Sequence, residues 1–225
     1  MNPKRVLVAM LLGAGLVAPE GLAEESMKSF DLPRPKMEGG VSIETALQKR
    51  RSNRKYAQDS VRLADVSQLL WAAQGITDRR EGLRTAPSAG ALYPLELYLV
   101  AGNIEGLPDG VYRYRPHDHE ITKTGDGDRR QELAKVTFNQ SWIQDAVGLL
   151  IFSAVPDRIT RKYGKRGMRY VYMEAGHAAQ NVYLQAVSLG LATAVVGAFE
   201  DGAVKSVVGL EEDPLYLMPF GRPAD

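Results

Sequence analysis

The chain has 225 residues, with 28 Lys and Arg against 27 Asp and Glu, and no cysteine. That length suits one sizeable domain with its own core, and the near-zero net charge gives no global field for nucleic acid. The missing cysteines exclude disulfides, thiol catalysis, iron–sulfur ligation and thiolate zinc sites.

Lys4 and Arg5 precede an apolar run from Val6 to Ala18, and Gly21 and Ala23 are small residues where a signal peptidase reads. Residues 1–23 are therefore expected to be a signal peptide, and the protein to be exported, to the periplasm. A mis-assigned start codon ahead of a cytoplasmic protein is the alternative. The run is shorter than the roughly 20 residues that cross a bilayer, so no stable membrane span is expected after cleavage. Cleavage would remove Lys4, Arg5 and Glu20 and leave acidic and basic residues balanced. Residues 24–40 are polar and marked by Pro33, Pro35, Gly39 and Gly40, and are expected to form a flexible leader. The remaining domain is 41–225.

Ser42 is a candidate N-cap for a short helix with Ile43, Ala46 and Leu47 at helical spacing. The run from Leu63 to Gln74 places Val66, Leu69, Leu70 and Ala73 on one face and stops at Gly75, a candidate C′ residue. Leu95 to Val100 alternates as a strand. Val111 to Arg115 and Ile121 to Thr124 flank a Pro116-His117-Asp118 turn and read as a hairpin. Val147 to Val155 is an apolar strand, and Arg169 to Leu189 the longest helix, with Val171, Ala175, Ala178, Val182, Ala186 and Leu189 along one stripe. Ala192 to Phe199 and Leu215 to Phe220 read as strands around a short helix near Asp201 to Val208. Hairpins mixed with helices predict an α+β fold.

Arg50, Arg51, Arg54 and Lys55 gather cations beside Ser52 at the end of the first helix. Arginine supplies permanently charged planar forks and serine a neutral hydrogen bond, which together suit a phosphate. A solvated charge run that suits the helix dipole is the plainer reading. Pro87-Ser88-Ala89-Gly90-Ala91 could equally be an ordinary turn, and Gly197 a glycine ending a buried strand. Lys162 and Tyr163 sit in a basic stretch that is otherwise a solvated loop. His117 and His119 flank a turn and are expected at the surface, with no third ligand for a metal. His177 is expected to be packed or at a subunit contact. Neither a G-x-G-x-x-G nor a Walker A pattern is present.

The order of these segments resembles the FMN-dependent nitroreductase family. They are Arg50-Arg51-Ser52-x-Arg54-x-Tyr56, Ala86-Pro87-Ser88-Ala89-Gly90-Ala91-Leu92-Tyr93-Pro94, Gly176-His177-Ala178-Ala179-Gln180-Asn181, Val195-Val196-Gly197 and Met218-Pro219-Phe220-Gly221-Arg222-Pro223. The likeness is nearer to the SagB-type branch, which includes dehydrogenases that oxidise azolines in modified peptides. It implies a nitroreductase-like α+β fold, with a central, mostly antiparallel sheet flanked by helices, in a homodimer with the long helix at the interface. It also implies FMN as cofactor. Arg50, Arg51 and Ser52 would then hold the phosphate and ribityl chain, Arg54 the N1–C2=O edge, and Arg222 would approach the phosphate. Pro87, Ser88, Ala89, Ala91 and Tyr93 would pack on the flavin from the other subunit, and the backbone of Val195, Val196 and Gly197 would lie beside the ring and reach N5.

The implied activity is hydride transfer between a donor such as NAD(P)H and a nitroaromatic or quinone acceptor. Within the SagB-type branch, Lys162 and Tyr163 resemble a catalytic pair that removes a proton while hydride leaves an azoline-like substrate. A catalytically silent, exported flavin-binding module is the reading from another class.

Overall fold

A computed structural model describes residues 28–224. The expected signal peptide lies outside the described residues. In chain order the elements are β1 (Ser29–Asp31), α1 (Ile43–Lys49), β2 (Val61–Arg62), α2 (Leu63–Gln74), β3 (Ile76–Asp78), β4 (Leu83–Arg84), β5 (Leu95–Ala101), β6 (Ile104–Glu105), β7 (Gly110–Arg115), β8 (Glu120–Asp126), α3 (Arg130–Val136), β9 (Gly148–Ala154), α4 (Asp157–Tyr163), α5 (Gly167–Leu189), β10 (Ala192–Thr193), α6 (Asp201–Val208) and β11 (Asp213–Gly221).

Seven strands form one sheet in the order β1-β8-β7-β5-β9-β11-β10. Every ladder in it is antiparallel; the parallel pairing is confined to the short β2–β6 ladder. The expected α+β class and mostly antiparallel sheet are observed. The alternation along the central strands explains the layering. Leu95, Leu97 and Leu99 of β5 with Leu150 and Phe152 of β9 face a core shared with α2 and α5. Tyr98, Val100, Leu149 and Ile151 face a second core with α3 and α6. Both faces are covered, so β9 is buried along its whole length and reads as a continuous apolar run.

Local signals set the helix ends. The Ser42 hydroxyl accepts from the Thr45 amide at 3.2 Å and starts α1. Gly190 ends α5 in the left-handed region at φ 65, where a side chain would be strained. Gly75 differs from expectation: at φ −65 it needs no left-handed freedom. A Cβ there would lie 2.1 Å from Trp71 Cδ1, so the indole is what requires the glycine.

Three other expectations are corrected. Of the expected flexible leader, the described residues 28–40 are built into the fold. β1 pairs with the edge strand β8, and Gln68 of α2 grips both the amide and the carbonyl of Lys36, at 2.8 and 3.1 Å. Ile43 and Leu47 are exposed, and only Ala46 of α1 is buried. The expected strand from Ala192 to Phe199 stops at Thr193; beyond it a single bridge joins Val196 to Leu217.

Candidate functional site

The cation-rich segment after α1 is extended and clamped on both sides. The Asn53 amide donates to Thr193 O at 3.0 Å and the Ala57 amide to Arg222 O at 2.9 Å. The buried Tyr56 hydroxyl donates to Pro219 O at 3.1 Å. Burial holds the phenol far above its ordinary ionisation range, so it remains a neutral donor. The backbone is pinned while Ser52 and Arg54 stay exposed and Arg50 half-buried.

Tyr183 of α5 organises the side chains. Its hydroxyl accepts the Val195 amide at 2.8 Å and shares a hydrogen bond of 2.9 Å with Ser52 Oγ. The Arg50 guanidinium lies 5.0 Å from the centre of the Tyr183 ring, and that of Arg54 lies 5.5 Å from the Trp142 ring. Arg50 and Ser52 thus meet Val195, distant in the chain, around one phenol. Sequence reasoning missed Tyr183, which sits among apolar residues of the long helix and carries no motif of its own.

The other cations divide. Arg51 turns back and donates to Gln48 O and Arg50 O, completing the carbonyl end of α1. Arg222 is placed on the buried Asp65, at 3.6 Å, where Arg62 already makes two bonds. Both side chains have partners within the chain.

Among Val195, Val196 and Gly197 the amides are equally distinct. Val195 donates to Tyr183 and Val196 to Leu217 O at 2.8 Å. The Gly197 amide has no acceptor among the described residues, and the residue is exposed. A Cβ at Gly197 would rest 3.6 Å from Tyr216 Cε1, an ordinary contact. Packing within the chain does not demand this glycine. Its bare surface leaves room for a group from outside.

A second cluster forms around Pro87–Tyr93. Gly90, Ala91 and Tyr93 all have positive φ, at 66, 54 and 45, and the two non-glycine positions store strain of about 1–3 kcal/mol each. The turn is over-determined. Ser88 Oγ accepts the Tyr93 amide at 2.9 Å, Arg84 stacks 4.5 Å from the Tyr93 ring, and Arg158 donates to Tyr93 O at 3.1 Å. Pro87, Gly90 and Ala91 are left exposed, and Ala89 is half-buried.

Lys162 and Tyr163, at the end of α4, lie against this turn. A Cβ on Gly90 would be 2.8 Å from Tyr163 Oη and 3.0 Å from Lys162 Nζ. Tyr163 packs edge-on against Tyr170, with centroids 5.2 Å apart. Lys162 itself is exposed; a lysine base at neutral pH needs desolvation or a cationic neighbour. No hydrogen bond, ion pair or ring contact among the described residues joins this cluster to the Arg50–Ser52–Tyr183 group.

The histidines separate further. His117 and His177 are exposed, so His177 is not packed within the chain. His119, expected at the surface, is half-buried: Nδ1 is 2.9 Å from Tyr114 Oη and Nε2 2.8 Å from Ser67 Oγ. Burial lowers its pKa and favours the neutral ring.

A "Putative nitroreductase MJ1384" of Methanocaldococcus jannaschii is 47% identical over 182 residues, spanning 81% of this chain and 91% of that protein. The crystal structure of a protein described in the same words, reut_a1228 of Ralstonia eutropha JMP134, superposes with a TM-score of 0.78 at 29% identity, covering 88% and 90% of the two chains. The microcin B17-processing protein McbC of Escherichia coli is 26% identical over 73% of this chain, which spans 63% of McbC. The model of the nitroreductase family matches residues 47–222. That match begins inside α1, ends at Arg222 and takes in both clusters: the chain belongs to the nitroreductase family and is an oxidoreductase.

Proposed function

We propose that this protein is an FMN-dependent oxidoreductase that moves hydride between a donor such as NAD(P)H and a small organic acceptor of the nitroaromatic or quinone type. The observation that carries the reading is the meeting of Arg50 and Ser52 with the Val195–Gly197 backbone around Tyr183. When bound, FMN supplies a two-electron centre whose N5 takes up and releases hydride. Its phosphate carries about −1.5 to −2 charges, and the half-buried Arg50 and the exposed Ser52 beside it are the pair suited to hold it. Gly197 supplies the one unspent amide in its stretch, suited to the N5 edge. Arg54 is an exposed cation suited to the N1–C2=O side, where negative charge gathers on reduction.

The exposed turn Pro87–Tyr93 lacks contact with the Arg50 group of its own chain, which supports a homodimer in which each turn completes the partner's site. The test is the visible absorption of the purified chain after incubation with FMN and desalting. About one retained FMN per chain, lost in Arg50→Ala, is expected. A colourless, folded protein overturns the reading.

A second reading has a specific observation behind it. Lys162 Nζ and Tyr163 Oη lie together over Gly90, and similarity extends to a microcin-processing protein. We propose a SagB-type dehydrogenase of azoline-like substrates as this alternative, in which Lys162 and Tyr163 move the substrate proton. Lys162→Ala should abolish azoline oxidation and spare reduction of a quinone by NAD(P)H; equal loss of both activities would remove it. A catalytically silent flavin module predicts bound FMN that no donor reduces. Export remains our proposal from Lys4 to Ala23, tested by N-terminal sequencing of the protein from its native cell.

A further inference from the structure

Glu174 lies on α5, one turn beyond Tyr170, and is 2% exposed. Neither carboxyl oxygen has a hydrogen-bond partner. Every buried side-chain polar atom left unpartnered among the described residues belongs to Trp71, Gln74, Arg84 or Glu174. Three of these residues form one neighbourhood. Arg84 donates to Gln74 Oε1 at 2.9 Å and leaves its Nε–H idle, and Arg84 and the Ser88 hydroxyl are the groups that pull Glu174 toward ionisation. Ser88 Oγ already accepts from the Tyr93 amide, so its own proton is free to face the acid.

An ionised carboxylate at this depth, with no hydrogen bond formed on either oxygen and only the Ser88 hydroxyl and Arg84 favouring its charge, would carry a desolvation penalty of several kcal/mol. A neutral carboxyl costs far less. The arrangement, with Arg84 turned to Gln74 and to the Tyr93 ring, fits the protonated acid. Burial pushes the Glu174 carboxyl up from 4.5 to about 7, with Ser88 and Arg84 opposing. No other charge offsets it closely. Arg84 is itself held down by burial, with Glu96 and Tyr93 supporting its charge and Arg158 opposing it. Tyr170 lies one turn before it on α5 and packs against Tyr163 of α4.

We infer that Glu174 is a positioning residue for the strained Pro87–Tyr93 turn: acting through Ser88 and Arg84, the neutral carboxyl keeps the turn in its present shape, and ionisation draws the Arg84 Nε–H away from it. The proton released goes to solvent, and Arg84 leaves the Tyr93 ring to pair with the new charge. The consequence for the cofactor rests on the FMN reading above. FMN binding, which needs that turn, weakens as the acid ionises.

The test is FMN affinity from about pH 6 to about pH 8, by fluorescence quenching, in the purified protein and in Glu174→Gln, which keeps the neutral shape. Wild type should lose about tenfold relative to Glu174→Gln across that range. The variant is the needed reference because the FMN phosphate takes its second charge near pH 6 in both proteins. Infrared difference spectra of the FMN-free protein should show a protonated-carboxyl band that fades through the same range and is missing in Glu174→Gln. Ser88→Ala, which removes a group favouring ionisation, should move that fading to higher pH. Parallel affinity curves for wild type and Glu174→Gln, or no such band, overturn the inference. Failure of both proteins to bind FMN at any pH overturns the flavin reading and the affinity switch with it, while the band still decides whether Glu174 holds the proton.

Discussion

The segment Arg50–Tyr56 and the turn Pro87–Tyr93 are held in place by opposite means. The first is unstrained extended chain, pinned by backbone bonds to Thr193 and Arg222 and by the Tyr56 hydroxyl. Its side chains remain adjustable. The second carries positive φ at Ala91 and Tyr93, is braced internally by Ser88 and is held from outside by Arg84 and Arg158. A phosphate is a diffuse, solvated charge that tolerates movable cations. A flat ring packed against a turn requires a fixed surface, and strain stored at a site persists only where the surroundings over-determine it. On the flavin reading proposed above, the first region supplies charge and the second supplies shape.

The largest effect should come from the charge region. Arg50→Ala should weaken FMN binding by about 2–3 kcal/mol, the worth of a charge-assisted bond, whereas Arg51→Ala should change it little because Arg51 is spent on Gln48 and Arg50 carbonyls. Titration of FMN into the two variants checks this, and equal losses would erase the distinction among the arginines.

Next is the pH dependence of stability. The folded-state pKa of Glu174 is raised above 4.5 to about 7. In that window the folded protein holds a proton that the unfolded chain has released, so stability should fall as pH rises through it. The loss is on the order of 2–3 kcal/mol, should level off above about pH 7, and should be absent in Glu174→Gln. Urea melts at several pH values measure it. Tyr183→Phe should cost about 1–3 kcal/mol by orphaning the Val195 amide and should loosen Ser52, lowering both thermal stability and FMN retention.

Smaller effects sharpen the shape region. Ala91→Gly should relieve the left-handed backbone and stabilise the protein by about 1 kcal/mol, seen as a higher Tm, while lowering FMN affinity through a looser turn. A rise in both would mean that the strain has no functional use. Gly197→Ala should leave Tm within about 0.5 kcal/mol of wild type, since its Cβ meets Tyr216 at ordinary distance, yet should reduce FMN retention.

Much of this fold could be read locally. Leu63–Gln74 and Asp201–Val208 are helices with the bounds their apolar spacing predicts, and the β7–β8 hairpin flanks its Pro116 turn. Periodicity and caps act over a few residues, and a short window contains them. What failed locally depended on distant partners. The 24–40 stretch reads as a leader because its anchors, β8 and Gln68, lie elsewhere in the chain. Ile43 and Leu47 have the spacing of a buried face, yet they are exposed among the described residues.

The candidate site divides in the same way. Residue types and motif order determined the family, the cation-rich segment, the Pro-Ser-Ala turn and the Lys162-Tyr163 pair. Only the tertiary structure decided which of these groups are free. It spends Arg51 on its own helix and Arg222 on Asp65, uses the amides of Val195 and Val196, and leaves that of Gly197. It also brings Tyr183 and Glu174 from the long helix to the two clusters. The reason is physical. A side chain's chemistry is written in its type, but whether it is available depends on which partners the fold places within hydrogen-bond reach and how much water it removes.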